Sequence, residues 1–325
     1  MIISKTPYRI SFFGGGTDFP DFFRRHKGAV ISTTINKFSY VNVSHLPDFF
    51  EFKSELIYSK IERVNDYDEI QHPLIREAMR MLNIHRLQMI YETDIPEKSG
   101  LGTSSSFAVG MLNALYALMG EHVDKKKLAK EAIELERNIC HEVGGFQDQI
   151  AVTYGGLNRI DFNSAGYTVS PIVIQPDRQK QLNDNLLLIF SGETRISSDI
   201  QKEMSLQMKS NEKQLIEMLA LVDEAEILMR SNVELREFGR LLDYTWHLKR
   251  GFSKKVSTES IDLLYQKAKE AGAIGGKLLG AGGGGFLIFY VEKENKENVY
   301  NALEKFLHIP FSFESKGTRI IYSGK

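Results

Sequence analysis

The stretch that most restricts this chain is a run without a single charge, residues 106–120, SFAVGMLNALYALMG. It falls short of the roughly 17–25 residues that a membrane-spanning helix needs, so it reads as a helix buried in a protein core. Immediately before it stand two glycines and a row of hydroxyl residues: Gly100, Leu101, Gly102, Thr103, Ser104, Ser105 and Ser106. A helix N-terminus presents unpaired N–H groups and a partial positive charge, which together attract anions. Gly100 and Gly102 would let the backbone come close to a bulky anion, and the hydroxyls would add donors or a metal ligand. The stretch therefore predicts a phosphate cradle fixed to a buried helix. It is neither a P-loop, because no Gly-Lys-Ser/Thr ends it, nor Gly-x-Gly-x-x-Gly. An ordinary helix cap after a turn uses the same residue types, so the loop does not decide the matter alone.

The rest of the chain narrows the class. Its 325 residues suit about two domains, and 42% hydrophobic with 26% charged residues is a soluble globular composition. A net charge of −1 supplies no general field for nucleic acid or an anionic membrane. The single cysteine, Cys140, excludes an internal disulfide framework and suits a reducing compartment. Lys5 and Arg9 interrupt the apolar N-terminus, which argues against a signal peptide. These features predict a cytoplasmic protein. Nucleic-acid and membrane partners are not expected; a homodimer is left open. The eight histidines show no metal-ligand spacing, and Ser104 has no motif partner that would make it a covalent nucleophile.

Strand and helix patterns alternate in the first half. YRISFF reads as a strand, and GAVISTTINKFSYVNVSHL as an extended pair rich in β-branched and aromatic residues. HPLIREAMRMLN reads as an amphipathic helix and RLQMIYETDI as a strand. After the buried helix, KKKLAKEAIELERNICHE predicts a helix that stops at Gly144-Gly145. FQDQIAVTYGG reads as a short helix, LNRIDF and NLLLIFSG as strands. The polar stretch VIQPDRQKQLNDN reads as a linker, dividing the chain into units 1–180 and 181–325. Long charged helices fill residues 197–271. The chain then closes with GAIGGKLLGAGGGGFLIFYVE, one more helix, and the strands FSFES and TRIIYS.

Three glycine-bearing stretches occur in order: PYRISFFGGGTD at 7–18, PEKSGLGTSSS at 96–106 and GGKLLGAGGGGF at 275–286. Together they resemble the three motifs of the galactokinase, homoserine kinase, mevalonate kinase and phosphomevalonate kinase superfamily. The flanking stretches, such as SGETRISSDI and WHLKRGFSKKVSTES, look most like those of bacterial D-glycero-D-manno-heptose 7-phosphate kinases. The resemblance implies an α+β fold with a ribosomal-protein-S5-like N-terminal domain and a ferredoxin-like C-terminal domain. It implies transfer of a phosphoryl group from ATP to the anomeric hydroxyl of a phosphorylated seven-carbon sugar. Kinases of fucose, galactose or mevalonate are the alternative within the family; a sugar and ATP sensor without turnover is the alternative outside it.

The resemblance also assigns roles. Pro96 and Gly100–Ser106 match the ATP phosphate loop, with Ser104 reaching Mg²⁺ and the β/γ-phosphates. Glu136 matches the second metal ligand, with Glu134 and Glu142 as nearby competitors. Asp148 matches the catalytic aspartate, and Arg9 the cation beside it that offsets charge on the transferred phosphoryl. Gly15, Gly16, Thr17 and Asp18 match the sugar-binding turn. Lys277 and the glycines Gly282, Gly283 and Gly284 belong to the third motif, which closes the cleft. A phosphate on the acceptor needs cations. Arg24, Arg25, Arg195, Lys249, Arg250 and Lys254 are the candidates.

Overall fold

The computed structural model describes residues 1–96, 99–193 and 197–324. Its first strand, β1 (Ile2–Phe13), lies antiparallel to β2 (Gly28–His45), and both bury most of their side chains. The glycine turn and helix α1 (Pro20–His26) join them; the proline occupies the first turn, where an N–H has no partner to lose. The sequence pattern suggests two strands over residues 28–46, but the structure keeps one. The register shifts where Pro7 and Tyr8 face residues 38 and 35, so Asn36 and Lys37 form a bulge. A bulge turns this polar pair out of the ladder without ending it.

Next come the hairpin β3 (Ser54–Ile57) and β4 (Ile61–Val64), helix α2 (Pro73–Met81) and β5 (Leu87–Thr93). The uncharged run is helix α3 (Thr103–Leu118), buried on nearly every side against β1 and β2. Ser4 donates to the Gly110 carbonyl at 2.7 Å, and a Cβ on Gly110 would meet the Thr6 hydroxyl at the same distance. That glycine lets the helix press onto the sheet.

Helix α4 (Lys125–Ile133) starts at a cap in which the Asp124 carboxylate accepts from Lys127 N at 2.9 Å. It widens into a π turn over Glu134–Ile139 and ends at Cys140, short of the glycines predicted to stop it. His141 follows in the left-handed region at φ 56°. Then come α5 (Gln147–Tyr154), the hairpin β6 (Asn158–Asn163) and β7 (Gly166–Pro171), and α6 (Pro176–Asp184). The stretch read as a linker is thus largely helical. Leu182 anchors α6, and the Arg178 guanidinium donates to the carbonyls of Leu228, Met229 and Val233.

The second half carries β8 (Leu186–Phe190), then α7 (Ser197–Leu206), α8 (Glu212–Arg230), α9 (Arg236–Arg250) and α10 (Glu259–Glu270). Strands β9 (Gly275–Leu278) and β10 (Phe286–Tyr290), helix α11 (Lys296–Ala302) and β11 (Leu307–Ile309) follow. Their antiparallel order, β11-β8-β10-β9, is the split βαβ arrangement of ferredoxin-like domains. The chain then returns to the first sheet. β12 (Phe313–Glu314) pairs with β2, and β13 (Arg319–Ser323) with β1, covering an edge that would otherwise be open. The nine-stranded sheet therefore takes strands from both sides of residue 180. One hydrophobic cluster runs from Ile10, Phe12 and Ile31 through Val222 and Phe238 to Leu188 and Ile288, so the two sheets share a core. No helix among the described residues is long and apolar enough to cross a membrane.

Candidate active site

A cleft of about 530 Å³ opens over the start of α3. One wall is Gly100, Gly102, Thr103, Ser104 and Ser105; the facing wall is Leu279–Gly282 with Gly284. Gly100 and Gly102 have φ of 82° and 75°, a region that suits glycine. Gly102 is the N-cap residue, and no side chain caps the helix, so its first N–H groups remain for a ligand. The third-motif loop backs this one directly. A Cβ on Gly280 would lie 2.6 Å from the Gly100 Cα, and one on Gly285 would strike the Ser99 carbonyl. His72, Pro73, Leu74, Tyr91 and Phe107 form an apolar end of the same cleft.

Glu136 is fully buried at the base of the cleft. It accepts from the Ser104 hydroxyl at 2.9 Å, the Ser105 hydroxyl at 2.8 Å and the Gln149 amide. Two hydroxyls converging on one carboxylate offer hard oxygen donors. Among the described residues no cluster of three or more acidic, His or Cys side chains could hold a metal. Mg²⁺ commonly takes one or two protein carboxylates and completes its shell with water and phosphate oxygens, so the donors present fit it. Of the competitors, Glu134 is exposed and accepts from Asn138, whereas Glu142 lines the cleft. Burial, and then the neighbouring Glu136, push the Glu142 carboxyl up to about 7.

Arg9 comes from the middle of β1 and is 4% exposed. Its Nε and Nη2 donate to the two Asp148 oxygens at 2.8 and 2.7 Å, and Nη1 donates to the Gly100 carbonyl at 2.7 Å. This fork leaves two of the five guanidinium N–H donors for a ligand. Asp148 sits in the first turn of α5. Beyond the pair lies a smaller cavity of about 70 Å³, bordered by Ser11, Gly15, Gly16, Asp18, Lys249 and Lys277. The cavities share Arg9, Asp148, Arg137, Gln201, Gly280 and Ala281. The buried Asp18 carboxylate accepts from Gly16 N at 3.0 Å and Gln147 N at 3.2 Å. Burial and the nearby Asp148 raise its pKa.

Other residues of the sequence reading lie off these walls. Pro96 is exposed and Leu101 is in the hydrophobic core. The Ser106 hydroxyl bonds Ser39 and the strand carbonyls of Thr6 and Pro7. Thr17 locks its own turn by donating to Gly14 and Ala29 carbonyls. Gly283 N bonds the Val256 carbonyl. Among the cation candidates, Arg25 pairs with Glu212 and Arg250 with Asp262, while Arg24 and Lys254 are exposed. Arg195 lies outside the described residues. Among the described residues of that group, only Lys249 reaches the site. Arg137 and Gln201 line both cavities without any motif to announce them. Arg137 stands in the π turn beside its chain neighbour Glu136, and its guanidinium is held by the Gly145 carbonyl, to which Nε and Nη2 donate at 3.2 and 3.1 Å.

The geometry of two glycine loops around a helix N-terminus has counterparts in known proteins. Residues 72–156 match the family described as GHMP kinases N terminal domain, and residues 229–309 match GHMP kinases C terminal. The chain belongs to the GHMP kinase family. This GHMP kinase is 29% identical to D-glycero-alpha-D-manno-heptose 7-phosphate kinase of Campylobacter jejuni, over 98% of each chain. It is 24% identical to galactokinase of Pyrococcus furiosus, over 97% of this chain and 96% of that one. Its fold superposes with a TM-score of 0.82 on a D-glycero-D-manno-heptose 1-phosphate kinase from Bacteroides thetaiotaomicron, at 23% identity, covering 99% and 100% of the two chains. Lactococcus lactis galactokinase complexed with galactose gives 0.73 at 17% identity, covering 98% and 94%.

Proposed function

We propose that the enzyme transfers the γ-phosphoryl group of ATP to the C1 hydroxyl of D-glycero-D-manno-heptose 7-phosphate. The observation that carries this reading is the Arg9 fork, which ties Asp148 to the phosphate loop through the Gly100 carbonyl. One guanidinium thus sets the spacing between a proton acceptor and the phosphate cradle. The α3 amides, with Thr103 to Ser105, hold the ATP phosphates, and the apolar end of the cleft takes the base. Ser104 and Glu136 hold Mg²⁺, which neutralises phosphate charge when bound. Asp148 orients the acceptor hydroxyl and takes its proton, an effect worth about 10²–10⁴-fold. An anomeric hydroxyl is more acidic than an ordinary alcohol, so a carboxylate suffices. The two remaining Arg9 donors face the transferred group, and Asp18 binds a sugar hydroxyl. Most of the catalysis is positioning and charge neutralisation, as phosphoryl transfer requires.

The Campylobacter relative supports the substrate assignment, because the likeness extends over the full length of both chains. A coupled ADP-release assay against heptose 7-phosphate, free heptose, mannose, galactose, fucose and mevalonate tests it, with phosphorus NMR to locate the new phosphate. The expected result is preference for the phosphorylated heptose and a product phosphate on C1. Equal use of a free sugar, or a phosphate on another carbon, would reject the substrate and leave the kinase assignment standing.

A further inference from the structure

The smaller cavity holds two lysines for which the chemistry above has no role. Lys249, from α9, is 7% exposed, and Lys277, from β9, is 4% exposed. The Lys249 Nζ donates to the carbonyls of Leu278 and Gly280 at 2.9 and 2.5 Å; the Lys277 Nζ donates to the Phe12 carbonyl at 2.8 Å. Neither makes an ion pair among the described residues. Burying an ammonium group with no carboxylate in ion-pair contact is costly, so two such lysines in a cavity wall point to charge brought by a ligand. A second observation agrees. The Ser11 hydroxyl borders the same cavity, is 7% exposed, and has no hydrogen-bond partner among the described residues.

Resting on the substrate reading above, we propose that Lys249, Lys277 and Ser11 form the subsite for the acceptor's own phosphate. Location separates this from a second nucleotide contact. Both lysines and Ser11 border the cavity of Asp18, Gly15 and Gly16, and none borders the one lined by the phosphate-loop residues Gly102 to Ser105. The cavity also borders Asp18 and Asp148, so the phosphate would share it with the sugar that carries it. Lysine ammonium groups suit a phosphate as point charges, while Arg9 remains committed to Asp148 and Gly100.

The electrostatics add a signature. Burial, then Arg9, bring Lys249 down to about 7; burial, then Lys249 and Arg9, take Lys277 well below the ordinary lysine value. The charged groups that border the same cavity as Lys249 are Arg9 from β1, Lys277 from β9, Arg137 from the π turn, and the carboxylates Asp18 and Asp148. At about pH 8 a sugar phosphate is already a dianion, with its second pKa near 6. The free enzyme holds Lys249 mostly neutral there, and a bound dianion draws a proton onto it. Binding should therefore take up a proton.

The test combines kinetics and calorimetry on the wild type, Lys249→Met, Lys277→Met and Ser11→Ala. The last substitution keeps the test informative should a lysine variant fail to fold. The ratio of kcat/KM for heptose 7-phosphate to that for free heptose should fall about 10–100-fold in each lysine variant and several-fold in Ser11→Ala. Titrating heptose 7-phosphate at about pH 8 in two buffers of different ionisation enthalpy should show proton uptake by the wild type, and less in Lys249→Met. A wild-type preference left unchanged in all three variants would overturn the subsite alone. An equal loss for both sugars would give the lysines to the transferred phosphoryl and also overturn it. A wild-type enzyme with no preference for the phosphorylated sugar would reject the substrate reading and the subsite together.

Discussion

Asp148 and Glu142 are both carboxylates on cavity walls, but their surroundings give them different work. Asp148 has both oxygens held by Arg9, so Asp148→Asn should keep the fold while losing the proton acceptor. Its kcat should drop about 10²-fold or more with ATP affinity nearly unchanged, measured by steady-state kinetics and calorimetry. Glu142 makes a long contact of 3.8 Å to Arg137, and its carboxyl is raised from an ordinary 4.5 to about 7. A raised carboxyl adds stability that is complete below the unfolded value and lost as pH rises through the folded one. Glu142→Gln should therefore flatten the fall in Tm between about pH 5 and about pH 8, with its gain over wild type greatest at the alkaline end. A parallel pair of Tm curves would refute this. The motif positions of Arg9, Ser104, Glu136 and Asp148 were legible in the sequence, and the structure brings all four into one cleft. Lys249 was legible only as one charge among several in WHLKRGFSKK, since nothing local says which of those lysines is buried. Arg137 was hidden for another reason: no residue pattern marks the π turn it stands in, and its hold is a main-chain carbonyl, that of Gly145.

At the scale of elements, the loop before α3 should be more sensitive than any of its hydroxyls. A Cβ at Gly102 would lie 3.2 Å from the Arg9 Cγ, on a backbone at φ 75° that β-branched residues avoid. Gly102→Val is expected to weaken ATP binding by at least tenfold and to disturb the Arg9 fork as well. Unchanged calorimetric affinity in the folded variant would remove the loop from the nucleotide site. The buried helix itself could be read directly, because fifteen residues without charge leave few alternatives. Long-range pairing escaped the sequence reading. Asn36 and Lys37 look like the end of a strand, and only the partner β1 shows that they bulge out of a continuous one. Helix α6 looks like a polar linker because it buries one leucine and is otherwise held by polar groups bonded far along the chain. Among them are Arg178, which donates to the carbonyls of Leu228, Met229 and Val233, and Asn183, which accepts from Phe313 N. The strand read from LNRIDF is β6, but its partner β7 has no buried side chain and the hairpin β3–β4 has only four residues in each strand, which leaves those weak signals.

At the scale of the molecule, a polar stretch near residue 180 suggests a place to cut, but the packing crosses it in both directions. β12 and β13 complete the first sheet, and α8 and α9 supply Val222 and Phe238 to the core beneath β1 and β2. A fragment of residues 1–180 should therefore lack a cooperative thermal transition by circular dichroism, and a sharp transition would show that the first half folds alone. The same crossing brings the two glycine loops into contact, main chain against main chain, at Gly100 with Gly280 and at Ser99 with Gly285. That seam behind the phosphate cradle has almost no rotamers to freeze when a nucleotide arrives. Its conformational entropy is given up during folding, and binding energy that a softer wall would spend on ordering itself stays available for holding the phosphates.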